Sequence, residues 1–179
     1  MIRIKIKKGR HYPCLIPLGL PIWVKKNSPT IRTANFMFTD SCMFDLKDED
    51  QWDVNKLFGF SIGHHHNCNS FRFGWRPNLN NETIEIVAYE YHNGVRNKTM
   101  PICEINSYEW YSFKLIYNPI LKTSGYRITN SENNSNFFVN DIYFLDKTYG
   151  LGYTLGIYFG GNETAPQDII IYKKKNENI

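Results

Sequence analysis

"SFRFGWRPNLNNETIEIVAYEY" (Ser70–Tyr91) is the stretch that decides the fold. Two runs of alternating side-chain character flank a polar turn around Pro77–Glu82, which reads as a β-hairpin. Side chains alternate across a strand. Phe71, Phe73 and Trp75 therefore share one face, and Ile84, Ile86 and Ala88 share one face of the returning strand. Pairing Arg76 with Thr83 brings the two apolar sets together. A slip of one residue would turn one set to water, so the register is well determined. The opposite face then holds Arg72, Gly74 and Arg76 beside Glu85, Val87 and Tyr89.

The next segment, "YEYHNGVRNK", reads as a second hairpin on Asn93-Gly94. Both residues of that pair tolerate the positive φ of a type I′ turn. Tyr91 is then opposite Arg96, and Tyr89 opposite Lys98. The result is a sheet with one buried aromatic face and one polar face carrying Arg72, Arg76, Glu85, Tyr89, Tyr91, Arg96 and Lys98. Such a face is either merely solvated or a binding surface. Tyrosine favours the second use, since its ring is a good interface and sugar-stacking group.

Strand signals recur at roughly 10-residue spacing along the rest of the chain, the pattern of a β-sandwich or barrel. Ile2, Ile4 and Ile6 alternate with Arg3, Lys5 and Lys7. Cys14–Val24, with Pro17 and Pro21, reads as an edge strand or an extended piece, because proline cannot donate to a ladder. Asn35–Phe44 is predicted as a strand with Phe36, Phe38 and Phe44 inward. The acidic stretch Asp45–Lys56 is predicted as a loop or a single helical turn. Further strands are expected at Leu57–Gly63, Val95–Glu104, Trp110–Tyr117, Tyr126–Thr129, Asn136–Phe144, Tyr153–Phe159 and Ile169–Lys173. The fold class is all-β, an antiparallel jelly-roll β-sandwich in a single domain over 1–179. Within it, 1–30 forms an edge strand and Pro-rich segment, and 31–175 the sandwich.

The bulk properties agree. The chain has 179 residues, 42% hydrophobic, 16% aromatic and 21% charged, enough apolar material for a core and not the profile of a disordered chain. The net charge of +4 is concentrated at the two ends, from Arg3 to Arg10 and at Lys173–Lys175. These runs read as solvated edges, and no nucleic-acid partner is expected. The Ile/Lys alternation at the start supplies no apolar stretch for a secretory signal, and no stretch is long enough to span a membrane. The four cysteines show no CxxC pair and read as free or buried thiols.

Chemical motifs are sparse. "GHHHNC" (Gly63–Cys68) could ligate zinc, but no distant Cys/His pair completes a set, and a polar loop at a sheet edge is the simpler reading. Glu85, with Glu104 or Glu109 across strands, is the one carboxylate pairing to weigh for glycoside hydrolysis. No GxSxG elbow, GxGxxG or GxxxxGK[ST] occurs. No catalytic residue, metal or cofactor is expected. "GIYFGGNETAPQDI" (Gly156–Ile169) reads as strand, turn, strand, with Tyr153, Leu155, Ile157 and Phe159 inward and Tyr158 outward on the polar face.

The stretches "NKLFGFSIG", "NSFRFGWR", "IEIVAYEYHNGVR", "WYSFKLIYN" and "LGYTLGIYFGGNETAPQDI" resemble the concanavalin A-like jelly rolls of legume lectins, laminin-G-like domains and several polysaccharide lyases. In the alginate-lyase branch that resemblance implies an Arg-rich strand, a Gln-Ile-His strand and a C-terminal tyrosine strand. Arg72 and Arg76 match the first, and Tyr153 and Tyr158 the last. The Gln-Ile-His strand has no counterpart. "FRFGWR" and "YFGGNETAP" (Tyr158–Pro166) also resemble uncharacterised proteins of gut Bacteroidetes and their crAss-like phages. That second resemblance implies the leading expectation, a non-catalytic auxiliary virion protein, a decoration or attachment module partnered by capsid or tail subunits, in the virion or host cytoplasm. The first implies the alternative, a carbohydrate-active domain, a glycan-binding module or lyase, with glycan over Arg72, Arg76, Glu85, Tyr89, Tyr91, Arg96 and Tyr158.

Overall fold

The computed structural model describes residues 1–13, 19–63, 67–97, 99–142, 145 and 148–175. The histidine run His64–His66, Cys14, the proline at Pro17, and Lys98 lie outside the described residues.

Among the described residues, thirteen strands form two antiparallel sheets that pack face to face. They are β1 (Ile2–Ile6), β2 (Pro21–Val24), β3 (Thr30–Phe38), β4 (Asn55–Ile62), β5 (Asn69–Asn78), β6 (Thr83–His92) and β7 (Val95–Arg96), then β8 (Met100–Ile105), β9 (Tyr111–Asn118), β10 (Thr123–Asn130), β11 (Asn136–Ile142), β12 (Gly150–Leu155) and β13 (Ile169–Lys173). One sheet has the order β1-β13-β3-β9-β10-β11. The other has the order β2-β12-β4-β5-β6, with β7 and β8 both paired to the far side of β6. The only helical pieces among the described residues are two short 3-10 turns, Asp40–Cys42 and Glu49–Trp52. The second lies in the acidic stretch, where Asp48 accepts from the Asp50 amide at its start. No helix among the described residues is long and apolar enough to cross a membrane. Cys42, Cys68 and Cys103 are free thiols.

The hairpin β5–β6 forms with the expected faces but a different register. Arg76 pairs with Glu85, and Asn78 with Thr83. The slip relative to the expected Arg76–Thr83 pairing is two residues on one strand. Because the side-chain period is two, every residue keeps its face. Both strands run further toward the turn, which shrinks to 79–82 with Glu82 at φ 53°. At the other end Asn93 (φ 51°) and Gly94 (φ 85°) make the I′ turn, and Tyr91 pairs with Arg96.

Two other expectations are corrected. The single strand over Val95–Glu104 is two strands, because Asn97 turns its amide back to the Glu90 carbonyl (2.9 Å) and the pairing to β6 resumes only at Met100. The strand expected at Asn35–Phe44 begins at Thr30 and stops at Phe38, though Phe36, Phe38 and Phe44 are all buried.

The core between the sheets is aromatic. Phe36, Phe38, Phe60, Phe71, Phe73, Trp75, Phe113, Tyr117 and Tyr126 are fully buried. Their rings meet edge to face, as in Phe73–Tyr126 (5.0 Å, 88°) and Phe38–Trp75 (5.5 Å, 67°), the arrangement that the ring quadrupole favours. Each such ring contributes about 2 kcal/mol by burial alone. One carboxyl group enters this core. Glu90 shares the inward face of β6 with Ile84, Ile86 and Ala88. It accepts from Ser124 Oγ (2.6 Å) and Tyr126 OH (2.7 Å) of the opposite sheet, and from His92 Nε2 (2.6 Å). It ties the two layers together directly behind the polar face of β6.

Candidate functional site

The outward face of the β12-β4-β5-β6 sheet forms a groove of about 560 Å³, lined among others by Tyr12, Lys56, Arg72, Tyr89, Tyr91, Tyr153 and Tyr158. No acidic residue is among the described lining residues.

Arg72 sits at the floor. Its β5 position pairs it with Gly59 on one side and Tyr89 on the other. The side chain is only 7% exposed, and its Nε has no hydrogen-bond partner among the described residues. Burial pulls its pKa down to about 10, while Tyr89, Tyr91, Tyr12 and Tyr158 act in the other direction. The group stays cationic at neutral pH. A buried charge without a counter-ion is costly.

Lys56 lies beside it. A β-bulge between Lys56 and Phe58 inserts Leu57, so Lys56 opposes Gly74 on the groove face while Phe58 opposes Phe73 in the core. Its Nζ sits 4.7 Å above the Tyr89 ring and 5.5 Å from that of Tyr158, a cation–π arrangement. Burial first, then Arg72, then Arg96 push the amine down to about 8, with Asp53 opposing. Two cations thus share a small space, each making the other harder to charge.

Tyr158 reaches Lys56 by an unusual route. β12 ends at Leu155, and the chain then makes an isolated bridge, with Lys56 N to Tyr158 O at 2.8 Å and Tyr158 N to Lys56 O at 3.0 Å. The ring is stacked on His11 (5.2 Å, 5°) and edge-on to Tyr12 (4.9 Å). His11 Nδ1 donates to the Phe159 carbonyl (3.0 Å), which holds that stack. Burial raises the Tyr158 hydroxyl, Tyr12 adds to the rise, and Arg72 opposes it. Tyr89 is pushed up to about 12 by burial and by Tyr91.

The next residue pair explains the double glycine. A Cβ on Gly160 would collide with the Val54 carbonyl and crowd Lys56 Nζ, and Gly161 has φ +77°. The Gly160 amide donates to the buried Asn55 Oδ1 (2.8 Å). Glycine here lets the chain press against the start of β4 and so seat Lys56. Gly160→Ala is therefore expected to cost about 2 kcal/mol by overpacking. The loss is read as a thermal midpoint lowered by about 6 °C in calorimetry.

No protein-family model matches the chain, and no curated protein matches it in sequence. Solved structures do match. An alginate lyase, vAL-1 from Chlorella virus, has a TM-score of 0.58 at 11% identity, over 96% of this chain and 81% of that one. A functionally unknown protein from Saccharomyces cerevisiae has a TM-score of 0.52 at 8% identity, over 87% and 69%. The winged bean acidic lectin, in complex with methyl-α-D-galactose, has a TM-score of 0.50 at 13% identity, over 94% and 82%. The fold is a concanavalin A-like jelly roll. At these identities the likeness is one of architecture.

On this jelly roll the residues singled out in the sequence separate into two groups. Arg72, Tyr89, Tyr91 and Tyr158 line the groove, and Arg96 stacks over Tyr89 (6.0 Å). Arg76 and Glu85 lie further along the sheet and are ion-paired to each other, with Arg76 Nη1 also on the Trp52 carbonyl (3.1 Å). Glu104 accepts from Asn78, Asn81 and Thr83, and Glu109 from Asn106, Tyr111 and Asn130. Those bonds occupy both carboxylates in the sheet framework. Tyr153 and Leu155, expected inward, line the groove instead, while Ile157 and Phe159 enter the core. The reversal follows from the early end of β12, which breaks the alternation between Leu155 and Ile157. Lys56 and Tyr12 were not singled out in the sequence.

Proposed function

We propose that the groove binds an acidic polysaccharide of uronate units and cleaves it by β-elimination. The observation that carries this reading is the buried Arg72, with no counter-ion among the described lining residues, beside Lys56 and under tyrosine rings on which sugars can stack. A uronate carboxylate on Arg72 supplies the missing charge. Neutralising that carboxylate acidifies the neighbouring C5–H bond. Lys56, its amine held near neutrality, takes the C5 proton as general base. The C4–O4 bond breaks, a C4=C5 double bond forms, and the Tyr158 hydroxyl gives its proton to the departing O4. The raised Tyr158 pKa keeps that proton available. The leading expectation from the sequence, a subunit-docking virion module, called for a flat face. The groove, with an amine beside an arginine, favours the carbohydrate reading that the sequence offered as the alternative.

The test is incubation with alginate and with polygalacturonate, followed by the ultraviolet absorbance of the new double bond. Lys56→Met is expected to lower the rate about 10³-fold, with oligosaccharide affinity reduced far less. Binding of uronate oligomers without any new double bond would reduce the reading to a glycan-binding module. Absence of both would remove it.

The pH dependence has a definite sign. Lys56 must be neutral to accept a proton, so kcat/KM rises as pH climbs toward about 8 and levels above it. The same depressed value acts on stability. The cost of burying the charged amine is present in full below about 8 and is relieved between about 8 and the ordinary 10.5. A rate that falls through this window would contradict the assignment of Lys56 as base.

A further inference from the structure

The groove is not the end of the exposed aromatic surface. β2 pairs with β12 so that Pro21 lies opposite Tyr153 and Trp23 opposite Leu151. Ile22 and Val24 pack inward. Trp23 and Leu151 therefore project from the same face as Tyr153, which lines the groove. Trp23 is 68% exposed and Leu151 39% exposed. A large indole left mostly open to water on the edge strand buries little in the fold itself. Cations follow it. Lys25 and Lys26 are exposed, and Lys26 Nζ lies 5.4 Å from the Tyr149 ring.

We infer that Trp23, with Lys25 and Lys26, forms a distal subsite for the same acidic polysaccharide, reached only by chains long enough to leave the groove past Tyr153. The inference rests on the groove reading above. Continuity supports it, since Tyr153, Leu151, Pro21 and Trp23 are cross-strand and same-face neighbours on β12 and the edge strand β2. Charge supports it too, because carboxylates that recur along a uronate chain meet cations at both ends of the path. Strand spacing and rise place Trp23 roughly 20 Å from Arg72. The indole face stacks on a sugar ring, and the lysines hold carboxylates loosely. The subsite thus adds residence time and sets a preference for long chains.

The experiment uses the full chain carrying Tyr158→Phe, so that ligands stay intact, and titrates it calorimetrically. The probes are mannuronate, guluronate and galacturonate oligomers of two lengths, one filling only the groove and one reaching the sheet edge. Trp23→Ala is expected to weaken the long oligomer about tenfold and the short one less than twofold. Trp52→Ala, another exposed indole at 67%, controls for loss of surface tryptophan and leaves both unchanged. Equal loss for both lengths, or no loss for either, overturns the distal subsite and leaves the groove reading standing. So does self-association of the unaltered protein that Trp23→Ala disperses, since the indole would then be a contact between copies. No binding of any oligomer to the parent protein removes the groove reading, and the subsite with it.

Discussion

Arg72→Met is expected to raise the thermal midpoint and to abolish affinity for acidic glycans. The guanidinium is buried beside a second cation, with its Nε unsatisfied and no carboxylate in reach among the described lining residues. Removing an uncompensated buried charge, with an apolar side chain of similar length in its place, stabilises a fold by about 1–4 kcal/mol. For a chain of this size that is a rise of roughly 3–12 °C. Loss of the charge that faces a ligand carboxylate costs about 2–5 kcal/mol of binding, or roughly 30- to several-thousand-fold. Differential scanning calorimetry and titration with uronate oligomers on the same sample check both halves. A variant that loses stability would show that Arg72 is held by the framework instead of being stored for a ligand. Opposite signs in stability and affinity mark a residue kept for function at the expense of the fold.

Glu90→Ala is expected to act in the other direction. The carboxyl accepts from Ser124, Tyr126 and His92, at 2.6, 2.7 and 2.6 Å, and joins β6 to β10 of the opposite sheet. Deleting it removes a shared acceptor from two buried donors and from the half-buried His92, and leaves a small cavity. Each buried bond of this kind contributes about 1–3 kcal/mol, and the losses are not additive. A total near 4 kcal/mol is expected, equivalent to a midpoint lowered by about 12 °C. Urea unfolding measures it. Glu90→Gln retains an acceptor and should recover at least half of the loss. A cost below about 1 kcal/mol for Glu90→Ala would show that packing alone joins the sheets here. Tyr89 and Tyr91 flank Glu90 on the groove side of the strand, so uronate affinity should weaken in step with the stability.

The hairpin Asn69–His92 was legible because its faces depend on a period of two, and an error of two residues in register cannot change them. The I′ turn at Asn93-Gly94 was legible because few residue pairs accept positive φ twice. Lys56 was hidden for the opposite reason. Strict alternation through Lys56, Phe58 and Phe60 would have placed the amine inside the core, and only the bulge at Leu57 turns it outward. Bulges leave no reliable mark in sequence, since the inserted residue is an ordinary leucine. Tyr158 was recognised as outward-facing. Its partner was not, because the bridge to Lys56 joins positions about a hundred residues apart and nothing local specifies it. The same limit applies to the sheet orders. A neighbouring hairpin such as β5–β6 could be read, whereas the insertion of β13 between β1 and β3 could not.

That insertion has a consequence in time. β1 and β3 come early in the chain, but the six-stranded sheet holds them apart with β13, whose pairing runs Ile2–Lys173 through Ile6–Ile169 on one side and Phe38–Ile171 on the other. During synthesis β1 lacks its ladder partner until β13 emerges. The β4–β5–β6 hairpins that carry Arg72 and Tyr89 can assemble long before. The groove floor is thus expected to form ahead of the sheet that backs it. Closure of the sandwich waits on the contact between β1 and β13, far apart in sequence and so slow to form. Until then the Ile/Lys alternation of β1 keeps every second side chain charged, which discourages that waiting strand from pairing with the wrong edge.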